Sequence, residues 1–285
     1  MDWKGRRGSR NIEDRRSSGR RGGARAGGVG GLGLVAVLLI GWFLGIDVTP
    51  LLQDPGGSGA TSTPVELTAE DRAAGEFVSV VLADTEEIWA AVFRSQLGRT
   101  YRPATLVLFK TGTRSACGGA SEATGPFYCP ADRKVYLDTA FFVTLERRLG
   151  ARGDFAAAYV VAHEIGHHVQ NELGILGEAN RIRQQVSQTE SNAISVRVEL
   201  QADCLSGIWA REAAKMLGVV EQGDLEEAVS AARQIGDDTL QRSAGQRPMP
   251  HTFTHGTSDQ RSRWFMVGLR SGQMSDCDTF AVDRL

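Results

Sequence analysis

With 285 residues, 41% of them hydrophobic and 23% charged, the chain is long enough for one sizeable core plus an appendage and too apolar to be disordered throughout. Its net charge of -2 is uneven: residues 1–28 hold nine basic side chains against three acidic ones, leaving 23 basic and 31 acidic for the remainder. No groove-reading module accompanies that basic stretch, which argues against a nucleic-acid partner and for a topogenic tail near lipid headgroups.

Residues 1–26 therefore read as a basic cytoplasmic tail. Residues 27–46 (GGVGGLGLVAVLLIGWFLGI) form a run of about 20 positions without a charge, enough for one transmembrane helix. Arginines before the run and Asp47 after it put the N-terminus in the cytoplasm and everything beyond on the far side. A cleaved signal peptide fits less well, because the basic region is long and no A-x-A site follows Ile46. Residues 47–66, rich in Pro, Gly, Ser and Thr, read as a flexible linker, and 67–285 as the folded, extracytoplasmic domain.

That domain opens with a helical pattern capped by Thr68, in which Phe77, Val81, Ile88 and Val92 recur at helical spacing as far as about Leu97. Tyr101 to Lys110 has the composition of a buried strand, and Lys134 to Leu137 of a second, shorter one. Between them lies a Gly-rich loop bracketed by Cys117 and Cys129. The remainder is helical in pattern, over about 139–149, 155–173, 179–188, 191–217, 225–242 and 258–270. Asp154 and Asp224 stand where helices start, Gly174 and Gly218 where they stop, and Thr257 with Gln260 forms a capping box. The expected class is α+β, a small sheet followed by a predominantly helical half.

An even number of cysteines in an oxidising compartment favours disulfides over buried free thiols. Of the three pairings possible, Cys117 with Cys129 closes the short loop, and Cys204 with Cys277 pins the C-terminal tail to a central helix.

Within the helix from Phe155, His163-Glu164-Ile165-Gly166-His167 places two imidazoles four residues apart, about 40° apart around the axis and one turn along it. Both can reach one ion, and Glu164 stands beside it to take a proton from water. Two solvated histidines are the plain alternative. The apolar run from Ala156 to Ala162 argues for burial instead, and a buried imidazole pair without a partner is costly. A catalytic zinc ion needs a third protein ligand, for which Glu199 is the choice, with Asp203 four residues on as the acceptor that orients a ligating histidine. His168 points away from that face and reads as structural. His255 is a candidate for polarising a substrate carbonyl, and so, less strongly, is His251. The stretch from Phe127 through Asp138 is a candidate edge for an extended peptide, with Tyr128 as a donor or simply as packing.

The segments Trp3 to Arg7, Asn11 to Arg16, Tyr128-Cys129-Pro130, Tyr136-Leu137-Asp138, His163 to Gln170, Glu199 to Cys204 and Phe253 to Ser258 together resemble the neutral zinc metallopeptidases, a family of bacterial membrane-anchored proteins. The resemblance runs nearly end to end and implies a zincin-like fold. It also implies one zinc ion on His163, His167 and Glu199, with Glu164 catalytic. The expected function is hydrolysis of peptide or protein substrates. The rival is a membrane-tethered binding or scaffold protein that keeps zinc without turnover.

Overall fold

The computed structural model describes residues 1–17, 66–121, 124–147 and 150–285. The expected transmembrane segment 27–46 and nearly all of the linker lie outside them. Among the described residues, no helix is long and apolar enough to cross a membrane.

Four strands make the main sheet: β1 (Ile12–Asp14), β2 (Thr105–Phe109), β5 (Phe127–Cys129) and β6 (Lys134–Asp138), in the order β1-β2-β6-β5. β1 and β6 both run parallel to β2, and β5 closes one edge antiparallel to β6. Strand alternation sorts the apolar residues onto two faces. Leu106, Leu108, Val135 and Leu137 join the large helical core, while Val107, Phe109 and Tyr136 meet Phe127, Ala120 and Cys129 in a smaller cluster on the other side. Both faces are thus covered, as expected of central parallel strands written as unbroken apolar runs.

The loop between β2 and β5 holds a hairpin, β3 (Gly112–Ser115) and β4 (Gly118–Ser121). Its turn is tied to β5 by the disulfide Cys117–Cys129, and Cys204–Cys277 is the second bridge. Both pairs match the pairing favoured on loop geometry.

Helix α1 (Ala69–Val92) carries a full capping box between Thr68 and Asp71 and runs through a π-helical turn, Phe93–Leu97, to Gly98. After α2 (Ala140–Arg147) comes α3 (Asp154–Glu172), whose buried face runs from Phe155 to Val169, then α4 (Ile175–Arg183). Helix α5 (Gln188–Glu212) begins three residues earlier than its periodicity suggests, because Ser187 and Glu190 form a second capping box there. The expected single helix over 225–242 is two, α6 (Asp224–Gln234) and α7 (Asp237–Ser243). The break falls at Gly236, where a side chain would collide with the backbone of Ser258: a Cβ there would lie 2.4 Å from its nitrogen. The last long helix is α8 (Ser258–Ser271), capped by Thr257 and Gln260 as expected.

Two further expectations need correction. Asp154 and Asp224 do not cap their helices; each is the first helical residue after a glycine, and both point at the ammonium of Met1, at 2.6 and 3.2 Å. The free N–H of Phe155 is taken instead by Glu227, at 3.1 Å. Nor are residues 1–16 a tail separate from the domain. They supply β1, and Met1 and Arg16 are buried. The physical reason is that β2 would otherwise present an unpaired edge beside α1, and this segment fills it.

Candidate metal centre

Helix α3 lies against α5, and their closest approach is at Gly166, the fourth residue of the His163–His167 motif. A Cβ there would lie 3.0 Å from the carbonyl oxygen of Ala202. This contact sets Glu199 opposite the two histidines. His163 Nε2 is 3.1 Å from Glu199 Oε2, and His167 Nε2 is 3.5 Å from Oε1 of the same carboxylate. One ligand atom from each of the three residues falls within 4.8 Å of the others. Two imidazole nitrogens and one carboxylate, converging on one point at the rim of the core, make the donor set of a catalytic zinc site with room for a further ligand. The residues fit the ion.

Each imidazole is held from behind. His163 Nδ1–H donates to Asp203 Oδ1 at 3.0 Å, and His167 Nδ1–H to Gln170 Oε1 at 2.9 Å, so that both present a bare Nε2 to the metal position. Gln170 is itself fixed, donating to Val198 O at 2.8 Å and Gln201 Oε1 at 2.9 Å. Asp203, fully buried, sits in a network of three donors besides the histidine: Tyr159 Oη at 2.5 Å, Arg261 Nε at 2.9 Å and Arg261 Nη2 at 3.0 Å. Arg261, also buried, presents its planar fork to both oxygens of the carboxylate.

The electrostatics follow from this packing. Burial disfavours a charged His163, yet the hydrogen bonds to Asp203 and Glu199 outweigh it and raise its pKa to about 9. The carboxylates that would hold a proton on this ring would equally hold a cation beside it. Glu199 is driven well below the usual carboxylate range: burial opposes this, but the charge of His167 and the hydrogen bonds from both imidazoles prevail. Glu164, next along the helix, shows the reverse, its pKa raised chiefly by burial.

Of the other candidates, His255 lies in the loop before α8 at electrostatic range from Glu199. Asp237, the first residue of α7, arranges that loop: its Oδ2 accepts from the backbone N–H of Thr254, His255 and Gly256 at 2.8, 2.6 and 3.0 Å, and its Oδ1 is 3.2 Å from His255 Nδ1. His251 is exposed in a 3₁₀ turn. His168 is structural, lying 2.7 Å from the carbonyl of Arg102 and 3.1 Å from the hydroxyl of Tyr128. That hydroxyl also accepts from Asn171 at 3.0 Å, so Tyr128 is not poised to donate to a substrate. Cys204, in its disulfide, is no ligand.

Sequence reasoning missed Gln170, Tyr159, Arg261 and Asp237. Gln170 carries a local signal, three residues beyond His167 and so on the same helical face. The others carry none.

Comparison with known proteins agrees with this geometry. The profile of the family described as "putative neutral zinc metallopeptidase" matches residues 1–280. The uncharacterized protein YpfJ of Escherichia coli (strain K12) is 46% identical over 288 residues, covering 98% of this chain and 99% of the relative. The uncharacterized protein Rv2575 of Mycobacterium tuberculosis (strain ATCC 25618 / H37Rv) is 41% identical over 219 residues, 73% of either chain. No solved structure matches.

Proposed function

The chain belongs to the neutral zinc metallopeptidase family, and from that premise we propose that it hydrolyses peptide bonds in peptide or protein substrates, with one zinc ion held by His163, His167 and Glu199. The observation that carries this reading is the convergence of both Nε2 atoms on the Glu199 carboxylate, with Glu164 adjacent and nearly buried.

When bound there, zinc supplies a Lewis acid that makes water acidic near neutral pH and polarises a carbonyl oxygen. Glu164 takes the proton of the attacking water and passes it to the departing amine. Its burial favours the protonated form, which suits a group that must carry a proton between the two steps. His255, oriented by Asp237, donates to the oxygen on which negative charge develops. The outer edge of β5 accepts the extended substrate as an added strand. A metal helix packed beneath a small sheet supports the zincin-like fold, and two disulfides support an oxidising compartment for the domain.

The test uses the full chain, because a truncation at Val65 would remove β1. It is incubated with a diverse peptide pool, with and without a chelator. Cleavage that the chelator abolishes is expected, and Glu164→Gln should retain zinc by elemental analysis while losing about 10²- to 10⁴-fold in rate. Undiminished cleavage by that variant would remove Glu164 from the mechanism; zinc-loaded protein that cleaves nothing would favour a scaffold.

A further inference from the structure

The segment Met1–Arg16 is docked along its whole length. Asp2 N–H donates to Val219 O at 2.9 Å, Trp3 packs edge-on against Phe77 with ring centroids 5.4 Å apart, and Ser9 N–H donates to Ser79 O at 2.9 Å. Around β1, Leu106 N–H donates to Asn11 O at 2.8 Å and Arg15 N–H to Leu108 O at 2.7 Å. The arginines of the segment answer to acids: Arg6 meets the buried carboxylate of Asp84 at 2.5 Å, Arg15 meets Glu13 at 2.6 Å, and Arg16 meets Asp14 at 2.7 Å. Glu13 also pairs with Lys134 of β6. Arg16 lies over Gly75 of α1, where a Cβ would come within 2.4 Å of its Nη2, and its Nη1 donates to the carbonyl of Asp71.

That last contact constrains topology. Arg16 precedes the long apolar stretch of the sequence and Asp71 follows it, yet the two residues touch. One crossing of a membrane between them would hold them apart by a hydrocarbon layer about 30 Å thick. We propose that the arginine-rich segment Met1–Arg16 and the disulfide-braced body occupy one compartment, so that the chain between Arg16 and Asp71 crosses a membrane an even number of times or not at all. The parity argument needs only the two ends of that stretch, and it is independent of the catalytic reading. It replaces the expectation of a cytoplasmic tail opposite an extracytoplasmic domain. The positive-inside rule counts arginines as free to stay with the cytoplasmic leaflet; here Arg6, Arg15 and Arg16 are committed to carboxylates inside the fold.

Two measurements on the full chain test this. Arg10→Cys and Asp283→Cys, both at exposed positions, are labelled in intact bacterial cells with a membrane-impermeant maleimide, each read as label added over the parent protein and normalised to permeabilised cells. The two variants should label to the same fraction, both high or both near zero; full labelling of one with protection of the other overturns the proposal. In the purified protein, a carbodiimide should join Glu13 to Lys134 through an amide, with loss of water, seen as one cross-linked peptide by mass spectrometry. Failure to form that cross-link would show the segment undocked and would equally overturn it.

Discussion

Asp203 Oδ1 lies 3.0 Å from Nδ1 of His163, and the same carboxylate is gripped at both oxygens by Arg261, from a helix that begins more than fifty residues further along the chain. The orientation of the first metal-binding imidazole thus depends on a guanidinium that touches no metal position. Asp203→Asn should keep the fold and lower zinc affinity about 10- to 100-fold, the usual cost of losing an outer partner of a ligating histidine. Competition against a chromogenic chelator measures it, and unchanged affinity would show that Asp203 does not support the ligand.

Arg261→Met should cost more in stability than Asp203→Asn, because it leaves a fully buried carboxylate without its counter-charge. The expected loss is about 3–5 kcal/mol in chemical denaturation. Arg261→Lys should recover only part of it, since a point charge does not reproduce the two-pronged contact.

Gly166→Ala offers a test of opposite sign. In an isolated helix the change stabilises by about 1 kcal/mol. Here the added methyl would sit 3.0 Å from the Ala202 carbonyl and push α3 away from α5. Both the melting temperature and the zinc affinity should fall; a rise in both would mean that the two helices do not meet this closely.

The Cys204–Cys277 bridge closes 73 residues of sequence and fastens the C-terminal segment to α5. Cys277→Ser should destabilise the protein by about 2–5 kcal/mol. A reducing agent should lower the wild-type melting temperature and affect a Cys204→Ser/Cys277→Ser double variant less, the shorter bridge being all that remains to break.

The His255–Asp237 pair makes a prediction in pH. Burial works against the charged form of each, but their mutual hydrogen bond and attraction prevail, raising the pKa of His255 above 6.5 and lowering that of Asp237 below 3.8. The contribution of His255 is full below 6.5 and is lost as pH rises through its elevated pKa. That of Asp237 is full above 3.8 and is lost as pH falls through its depressed one. The pair therefore stabilises the loop most between 3.8 and 6.5. The imidazole titration of His255 followed by NMR should have a midpoint above 6.5, and Asp237→Asn should bring it down.

What could be read without a structure was local. His163 and His167 face one way because four residues make just over one helical turn, and the capping boxes at Thr68 and Thr257 are written within three residues. Glu199 and Asp203 were legible as a pair for the same reason. Their approach to α3 was an inference from burial, which the Gly166 contact bears out. The strands β2 and β6 show as apolar runs, whereas β1 is three residues, Ile-Glu-Asp, in an arginine-rich stretch with no strand pattern.

The remainder is long-range by nature. Arg261 differs in sequence from no other arginine on a polar helix, and only the packing of α8 against α5 buries it beside Asp203. Asp237 looked like the middle of one helix until Gly236, pressed against Ser258, broke that helix and turned its carboxylate to the loop of His255. The hydropathy of residues 27–46 suggested opposite sides for the two ends of the chain, and the contact of Arg16 with Asp71 puts them together. Residue type and short spacing decide which atoms can bind a metal; which buried charges are paired, and where the two ends of a segment lie, depends on contacts between residues far apart in the chain, whose energy exists only once the core has closed around them.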